Sequence, residues 1–367
     1  MLNLCHIISG DLWAGAEVMA YHLLKGLQAY DGLDLSAILL NEGRLAEEFR
    51  KFRIKVHVVD ESKTSFLDTL LTIRRILIEH PPDLIHSHRY KENILAFLIS
   101  RSFPDCKLMV TQHSKPEIYP KQTSLKHHLI SKCNFFVLSR YFHPVVGVSQ
   151  EIGRTLVKQY GFREGQVCMI HNGIELPKIP PKRDNREKFV IGSSGRLFSV
   201  KDYPLMVEIA KVILKKTDKI HFELAGEGPE RANIQSLIKS YRLNGVFNLK
   251  GHLENISAFY CGLDLYLNTS INEGIPMSIL EAMANGLPVV APNVGGLSEV
   301  VDNEVQGYLL EERNPEAFAE KCLYLHRNKA LRQRMSQAAR ERIVQSFSIE
   351  RMVEQYYKLY VSLTENG

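Results

Sequence analysis

The chain has 367 residues, 45% of them apolar and 24% charged, with 46 basic against 41 acidic side chains and a formal net charge of +5. That is the composition of a soluble globular protein long enough for two domains of ordinary size. The charge excess is too mild to indicate nucleic acid as a partner. Six cysteines, Cys5, Cys106, Cys133, Cys168, Cys261 and Cys322, are scattered without a C-x-x-C pair. They read as small buried hydrophobes in a reducing compartment, not as a disulfide framework or zinc site. The run Leu2–Ser9 is strand-like and meets glycine at once, unlike a secretory leader, and no apolar run approaches the length of a membrane span. The expected address is cytoplasmic.

Short apolar runs alternate with longer amphipathic segments. In the first half the predicted strands are Leu2–Ser9, Leu35–Leu40, Lys55–Asp60, Leu84–His88, Lys107–His113, Val145–Ser149 and Val167–Ile170, with helical spacing between them, as in Ala16–Tyr30 and Thr69–Glu79. Such alternation predicts a parallel sheet covered on both faces. Leu176–Lys188, with three prolines and a cluster of charges, is the predicted linker. Alternation then restarts with Phe189–Ser193, His221–Ala225, Phe247–Leu249, Leu263–Asn268, Pro288–Ala291 and Tyr308–Leu310, and with helices such as Tyr203–Lys216 and Pro229–Tyr241. The expected architecture is two Rossmann-like doubly wound α/β domains, 1–175 and 189–345, joined by the linker 176–188 and facing a central cleft. The helix within 346–367 is expected to pack back on the N-terminal domain. Ligands of such sheets bind beyond the carboxyl ends of the strands.

The stretch Asn268–Glu281, NTSINEGIPMSILE, is a strand–loop–helix with Glu273 and Glu281 eight positions apart. Pro276 suits the first turn of the helix, whose unbonded N–H groups favour an anion. Two carboxylates with backbone donors between them suit a hydroxyl-rich, phosphate-bearing ligand; the plain alternative is a helix start with two ordinary acidic residues. Gly195-Arg196 and Lys201, in the first loop of the second half, place an Arg and a Lys where they could clamp a diphosphate, or stand as a solvated basic loop. Ala225-Gly226-Glu-Gly-Pro229 and Gly251-His252 would let a base or ribose lie against backbone. In the first half, Gly10 and Gly15 flank a loop before a helix, and His113 stands at a strand end. His86 and His88 share one face of a strand, but no third ligand is evident, so packing or hydrogen bonding is preferred to a metal. No D-x-D, G-x-S-x-G or H-E-x-x-H motif occurs.

Taken together, Glu273-Gly-Ile-Pro-Met-Ser-Ile-Leu-Glu281 with the following Ala-Met-Ala-Asn-Gly-Leu-Pro-Val-Val-Ala, Val294-Gly-Gly-Leu-Ser-Glu, Gly195-Arg196 with Lys201, Ala225-Gly-Glu-Gly-Pro, Gly147-Val-Ser and His171-Asn-Gly-Ile-Glu resemble the retaining, nucleotide-sugar-dependent glycosyltransferases of family 4, the group 1 transferases, which have the GT-B fold. The resemblance spans nearly the whole chain and implies a set of roles. Glu281 would bind ribose hydroxyls and Glu273 hydroxyls of the donor sugar. Backbone around Gly274, Ile275, Pro276 and Met277 would hold sugar and phosphate, with Gly195, Gly226 and His252 lining the donor. Arg196 and Lys201 would neutralise the leaving diphosphate, Gly15 would bring its loop to the same phosphates, and His113 would touch the transferring sugar. The Ala14-Gly15 pair departs from the adjacent glycines usual in that loop.

The resemblance implies a nucleotide-sugar donor, UDP-sugar favoured with GDP-sugar as the alternative, no cofactor and no metal. The implied acceptor is a saccharide or lipid-linked saccharide of bacterial cell-surface polysaccharide or glycolipid synthesis. Between His113 and Gly147, Lys115, Lys121, Lys126, Lys132 and Arg140 mix with His127, His128, Phe135, Phe136, Tyr141 and Phe142. These suit either a surface docking at the inner face of the cell membrane or an ordinary helix and buried strand. The competing classes are a non-catalytic sugar-nucleotide-binding subunit and a sugar-nucleotide epimerase of the same fold. The first would be expected to lose the phosphate clamp, and the second lacks this pair of glutamates.

Overall fold

The computed structural model describes the chain except for residues 12, 14, 53, 114–124, 178–187 and 366–367. Seven strands form the first sheet: β1 (Leu2–Ile8), β2 (Leu33–Leu39), β3 (Lys55–Val58), β4 (Leu84–Ser87), β5 (Lys107–Gln112), β6 (Val145–Gly147) and β7 (Val167–Met169). Their order is β3-β2-β1-β4-β5-β6-β7, and every pairing is parallel. Six more form the second sheet: β8 (Phe189–Ser194), β9 (Ile220–Ala225), β10 (Phe247–Gly251), β11 (Leu265–Leu267), β12 (Val289–Pro292) and β13 (Gly307–Leu310). Its order is β10-β9-β8-β11-β12-β13, again parallel throughout. Parallel strands buried on both faces read as short continuous apolar runs, so each of the thirteen expected strands appears, shifted by a residue or two at its ends.

The chain divides into two compact units, Met1–Gly173 with Ile349–Gly367, and Ile174–Ser348. In the first unit, one face of the sheet shares a core with the helices Gly15–Leu27 and Ile349–Glu365, through Leu23, Leu24, Leu27, Met352, Val353 and Tyr356. Gly26 permits their close approach, since a Cβ there would lie 2.5 Å from a methyl of Val353. The opposite face carries Ile73, Leu95, Ile99, Leu138 and Phe142. In the second unit Ile209 and Ile213 of the helix Tyr203–Leu214 pack with Phe222, Phe318 and Leu325. Each such side chain, fully buried, contributes about 1.5–3 kcal/mol.

Several expectations need correction. Pro276 is the N-cap of the helix Met277–Ala284, in extended conformation, rather than a residue of its first turn. Among the cysteines only Cys5 and Cys322 are buried, and Cys133 is exposed; all six are free thiols. Of the aromatic residues that suit either a docking surface or an ordinary helix and buried strand, Phe135 and Phe142 belong to the core, whereas Phe136 and Tyr141 are exposed. Lys115, Lys121 and most of the linker lie outside the described residues, as do the side chains of Lys126, His127 and His128.

Candidate functional site

In each sheet the strand order reverses once, between β1 and β4 and between β8 and β11. Loops leaving the carboxyl ends of strands at such a point diverge and leave room for a ligand. In the second unit β8 and β11 are paired, Leu265 beside Ile191 and Tyr266 beside Gly192. The loop after β8 carries Gly195 and Arg196 into the short helical turn Ser199–Lys201, and the loop after β11 carries Asn268 to Pro276 into the helix Met277–Ala284.

Side chains and backbone tie these two loops together. Lys201 Nζ donates to Glu273 Oε1 at 2.5 Å, and Ser270 Oγ donates to the same oxygen at 2.6 Å. Thr269 Oγ1 donates to the Lys201 carbonyl at 3.0 Å, and the Ile271 N–H to the Val200 carbonyl at 2.8 Å. The Glu273 side chain is 10% exposed and that of Lys201 22%, so a partly dry ion pair stands at the strand ends. The first N–H groups of an α-helix have no intrahelical acceptor. Those of Met277 and Ser278 find none among the described residues, whereas the N–H groups of Ile279 and Leu280 close on the Pro276 carbonyl. The start of this helix therefore presents donors beside a carboxylate and an ammonium.

Two glycines let backbone segments meet around this point. Gly226 has φ +137°, and a Cβ on it would lie 1.9 Å from the Gly195 carbonyl oxygen. Gly295 has φ +61°, and a Cβ there would lie 1.7 Å from the Glu273 carbonyl oxygen, which also accepts the Gly296 N–H at 3.2 Å. No side chain fits at either position, and φ in this range favours glycine in any case.

Glu281 lies one turn into the helix. Tyr260 donates to its Oε2 at 2.7 Å and meets Ser194 Oγ at 2.8 Å, while Tyr266 donates to the Ser194 carbonyl at 3.1 Å. Burial pushes the Glu281 carboxyl up to about 6, and the Tyr260 hydrogen bond opposes that shift. Tyr260 and Tyr266 were not singled out from sequence. A buried tyrosine in an apolar run needs a hydroxyl partner, but the run does not say which.

Arg313 also escaped sequence reading. Its guanidinium donates to the Ser270 carbonyl at 2.7 Å, to the Thr269 carbonyl at 2.8 Å and to the Asp202 carboxylate. Asp202 has φ +46° and caps the helix Tyr203–Leu214. One fork thus fixes the segments that present Lys201 and Glu273, and nothing in the local run Glu311–Pro315 marks it. Two expected members stand apart. Arg196 is exposed with its guanidinium 4.9 Å from the Phe198 ring centre, and His252 is exposed; neither is hydrogen-bonded to this set among the described residues.

In the first unit, His113 follows β5 and is half-buried, its Nε2 3.2 Å from His88 Nδ1 and its Nδ1 covered and unpartnered among the described residues. Burial, and then the charge of Arg89, push the ring down to about 3, so it is neutral. Arg89 itself pairs with Glu17 at 2.5 Å and Asp11 at 3.3 Å. Gly15 opens its helix, and a Cβ there would meet nothing within 4 Å, so the fold does not require glycine at that position. The third ligand that was not evident beside His86 and His88 in the sequence is present: His6, on the neighbouring strand β1, brings its ligand atom within 4.8 Å of theirs.

Comparison with known proteins agrees with this architecture. The family model "Glycosyltransferase Family 4" matches residues 13–178, and "Glycosyl transferases group 1" matches 177–342. An Escherichia coli UDP-Gal:alpha-D-GlcNAc-diphosphoundecaprenol alpha-1,3-galactosyltransferase is 25% identical over 100% of this chain and 98% of its own length. A Staphylococcus aureus poly(ribitol-phosphate) alpha-N-acetylglucosaminyltransferase is 31% identical over 53% of this chain and 40% of its own. Among solved structures, Anabaena HepE in complex with UDP-glucose superposes with TM-score 0.83 at 19% identity, covering 99% of this chain and 100% of that one. With both units matched, and with two parallel Rossmann-like sheets of the GT-B type, the chain belongs to the group 1, family 4 glycosyltransferases.

Proposed function

We propose that the chain transfers a sugar from a nucleoside-diphosphate sugar, UDP-sugar in preference to GDP-sugar, to an acceptor hydroxyl with retention at the anomeric carbon. The observation that carries this reading is the Lys201–Glu273 pair beside the open start of the helix Met277–Ala284, with Glu281 one turn further on. Glu281 takes ribose hydroxyls and Glu273 those of the donor sugar. Lys201, the helix N–H groups and the exposed Arg196 meet the diphosphate, which gains negative charge as it leaves. Fixed donors aimed at such charge are worth about 3–4 kcal/mol each. The bond between the anomeric carbon and the β-phosphate oxygen breaks, and its electron pair stays on the phosphate. The acceptor oxygen bonds to the same face of the sugar, and its proton passes to the departing phosphate. His113 meets a hydroxyl of the transferred sugar.

The E. coli relative named for UDP-Gal and a diphosphoundecaprenol acceptor, and HepE with UDP-glucose, support a UDP-sugar donor. The diphosphoundecaprenol acceptor in the relative's name also favours a saccharide or lipid-linked saccharide acceptor, in bacterial cell-surface polysaccharide or glycolipid synthesis. Among the described residues no helix is long and apolar enough to cross a membrane. Peripheral contact at the cytoplasmic face is part of the proposal on separate ground: Phe136 and Tyr141 are exposed beside Lys132 and Arg140. Cosedimentation with anionic vesicles at low salt, absent with neutral ones, tests that part. The transfer reading is tested by thermal unfolding against a panel of UDP-, GDP- and ADP-sugars. One donor should raise the midpoint by mass action, and Glu281→Ala should abolish the rise. No rise with any donor would overturn it, and an inverted anomeric centre in the product would remove retention.

A further inference from the structure

Four histidines of the first unit form a continuous chain. The parallel register sets His6 of β1 beside His86 of β4, and His88, two residues on, points to the same side. Ring centres of His6 and His86 lie 4.6 Å apart, of His86 and His88 4.4 Å, and of His88 and His113 5.4 Å. His6 Nδ1 meets His88 Nε2 at 3.2 Å, and His88 Nδ1 meets His113 Nε2 at 3.2 Å. The helix Ile349–Glu365 supplies the far end. Tyr360 Oη lies 2.7 Å from His86 Nδ1 and 3.4 Å from His6 Nε2. His86 Nε2 lies 2.8 Å from Thr111 Oγ1, which is 2.9 Å from Tyr356 Oη.

Two opposite proton orders satisfy these contacts, and the distances favour one of them. Tyr360 has one hydroxyl proton, and a 2.7 Å contact is the length of an O–H donor, while 3.4 Å suits a weaker N–H donor. In the favoured order Tyr360 donates to His86 Nδ1 and accepts from His6 Nε2. His6 Nδ1 is then bare and accepts from His88 Nε2, and His88 Nδ1 accepts from His113 Nε2. In this order every ring carries its proton on Nε2. The one nitrogen left over is His113 Nδ1, covered and unpartnered among the described residues. Burial holds all four rings neutral, which the chain of single protons requires.

We propose that His6 and His88, ordered by Tyr360, are positioning residues that fix His113 in its Nε2–H form, so that Nδ1 is an obligate acceptor for a sugar hydroxyl. This rests on the reading of His113 as a substrate contact. The three buried histidines also lie close enough to suggest a metal trio. Both nitrogens of His86 are already bonded to hydroxyls, however, so it has no lone pair to give without breaking that set.

Long-range proton–nitrogen NMR on the protein labelled at histidine nitrogen reads the tautomers directly. His113, identified by its loss in His113→Ala, is expected as the Nε2–H form, and Tyr360→Phe is expected to shift it toward a mixture. An Nδ1–H form of His113 in the unaltered protein overturns the proposal. So does stoichiometric zinc or cobalt that is lost in His86→Ala. In donor turnover, Tyr360→Phe and His88→Phe are expected to lower kcat about tenfold with little change in KM, and His88→Gln, which can still donate and accept, to restore most of it. Loss in His113→Ala with full kcat in Tyr360→Phe and His88→Phe overturns the chain and spares the reading of His113. Full activity in His113→Ala overturns both.

Discussion

Glu273 and Lys201, 72 positions apart in sequence, are joined at 2.5 Å through the same carboxylate oxygen that Ser270 bonds. In the ligand-free protein each charge is neutralised by the other, so an incoming diphosphate exchanges one anionic partner of Lys201 for another. Lys201→Ala leaves Glu273 with Ser270 alone, and turnover is expected to fall about 100-fold or more. Glu273→Gln keeps the shape and frees Lys201 for phosphate. It is expected to hold the nucleoside diphosphate at least as well as the unaltered protein while losing turnover. Calorimetry with the diphosphate and with its sugar ester separates the two effects; weaker diphosphate binding in Glu273→Gln would contradict the exchange.

The Arg313 fork sets that pair in place without touching either member. Arg313→Ala leaves the Thr269 and Ser270 carbonyls and the Asp202 carboxylate short of a donor, at an expected cost of about 2–3 kcal/mol in stability. Arg313→Lys is expected to recover little, because an ammonium does not reproduce the planar fork. Unfolding midpoints of the two variants, with and without nucleotide sugar, check this. An Arg313→Lys protein equal to the unaltered one would show that charge alone suffices.

The contact of Gly295 with Glu273 makes a sharper test of backbone geometry. Gly295→Ala must displace the Glu273 carbonyl and strain its own backbone, so donor-induced stabilisation should be lost even where the protein still folds. Gly15→Ala meets no neighbour within 4 Å and is expected to leave the unfolding free energy within about 0.5 kcal/mol of its original value. Any loss of turnover in Gly15→Ala would then come from the substrate rather than from the fold.

Much of the architecture was legible because buried parallel strands announce themselves as short apolar runs, and because Glu273, Pro276 and Glu281 sit in one local stretch. What was missed is non-local. His6 joins His86 only because β1 pairs with β4, a crossover that no property of Leu2–Ile8 states. Arg313 reaches Asp202 across the sheet from beyond β13, and Tyr260 meets Glu281 from another helix. Phe135 and Phe136 are adjacent and chemically alike, and only the rotation of their helix decides that one is core and the other surface.

The buried histidines also predict how stability depends on pH. In the unfolded chain these rings titrate near 6.5, whereas burial keeps His6, His86 and His88 neutral to far lower pH in the fold. Below 6.5 the unfolded chain holds more protons, so each ring is expected to withdraw roughly 1 kcal/mol of stability per pH unit. Glu92 and Glu281 act oppositely. Burial raises them to about 7 and about 6, so the fold binds their protons first and regains stability as pH falls toward 4.5. Three fully buried rings outweigh two carboxyls once they titrate in the unfolded chain, so the unfolding midpoint is expected to stay nearly level down to about pH 7 and to drop from there to pH 5.5. A midpoint that rises on acidification would mean that the rings are charged in the fold. Glu92→Gln isolates the opposing contribution. Glu92 Oε1 is buried without a partner among the described residues, so the amide is expected to stabilise the protein by about 1–3 kcal/mol at pH 8 and by little at pH 4.5.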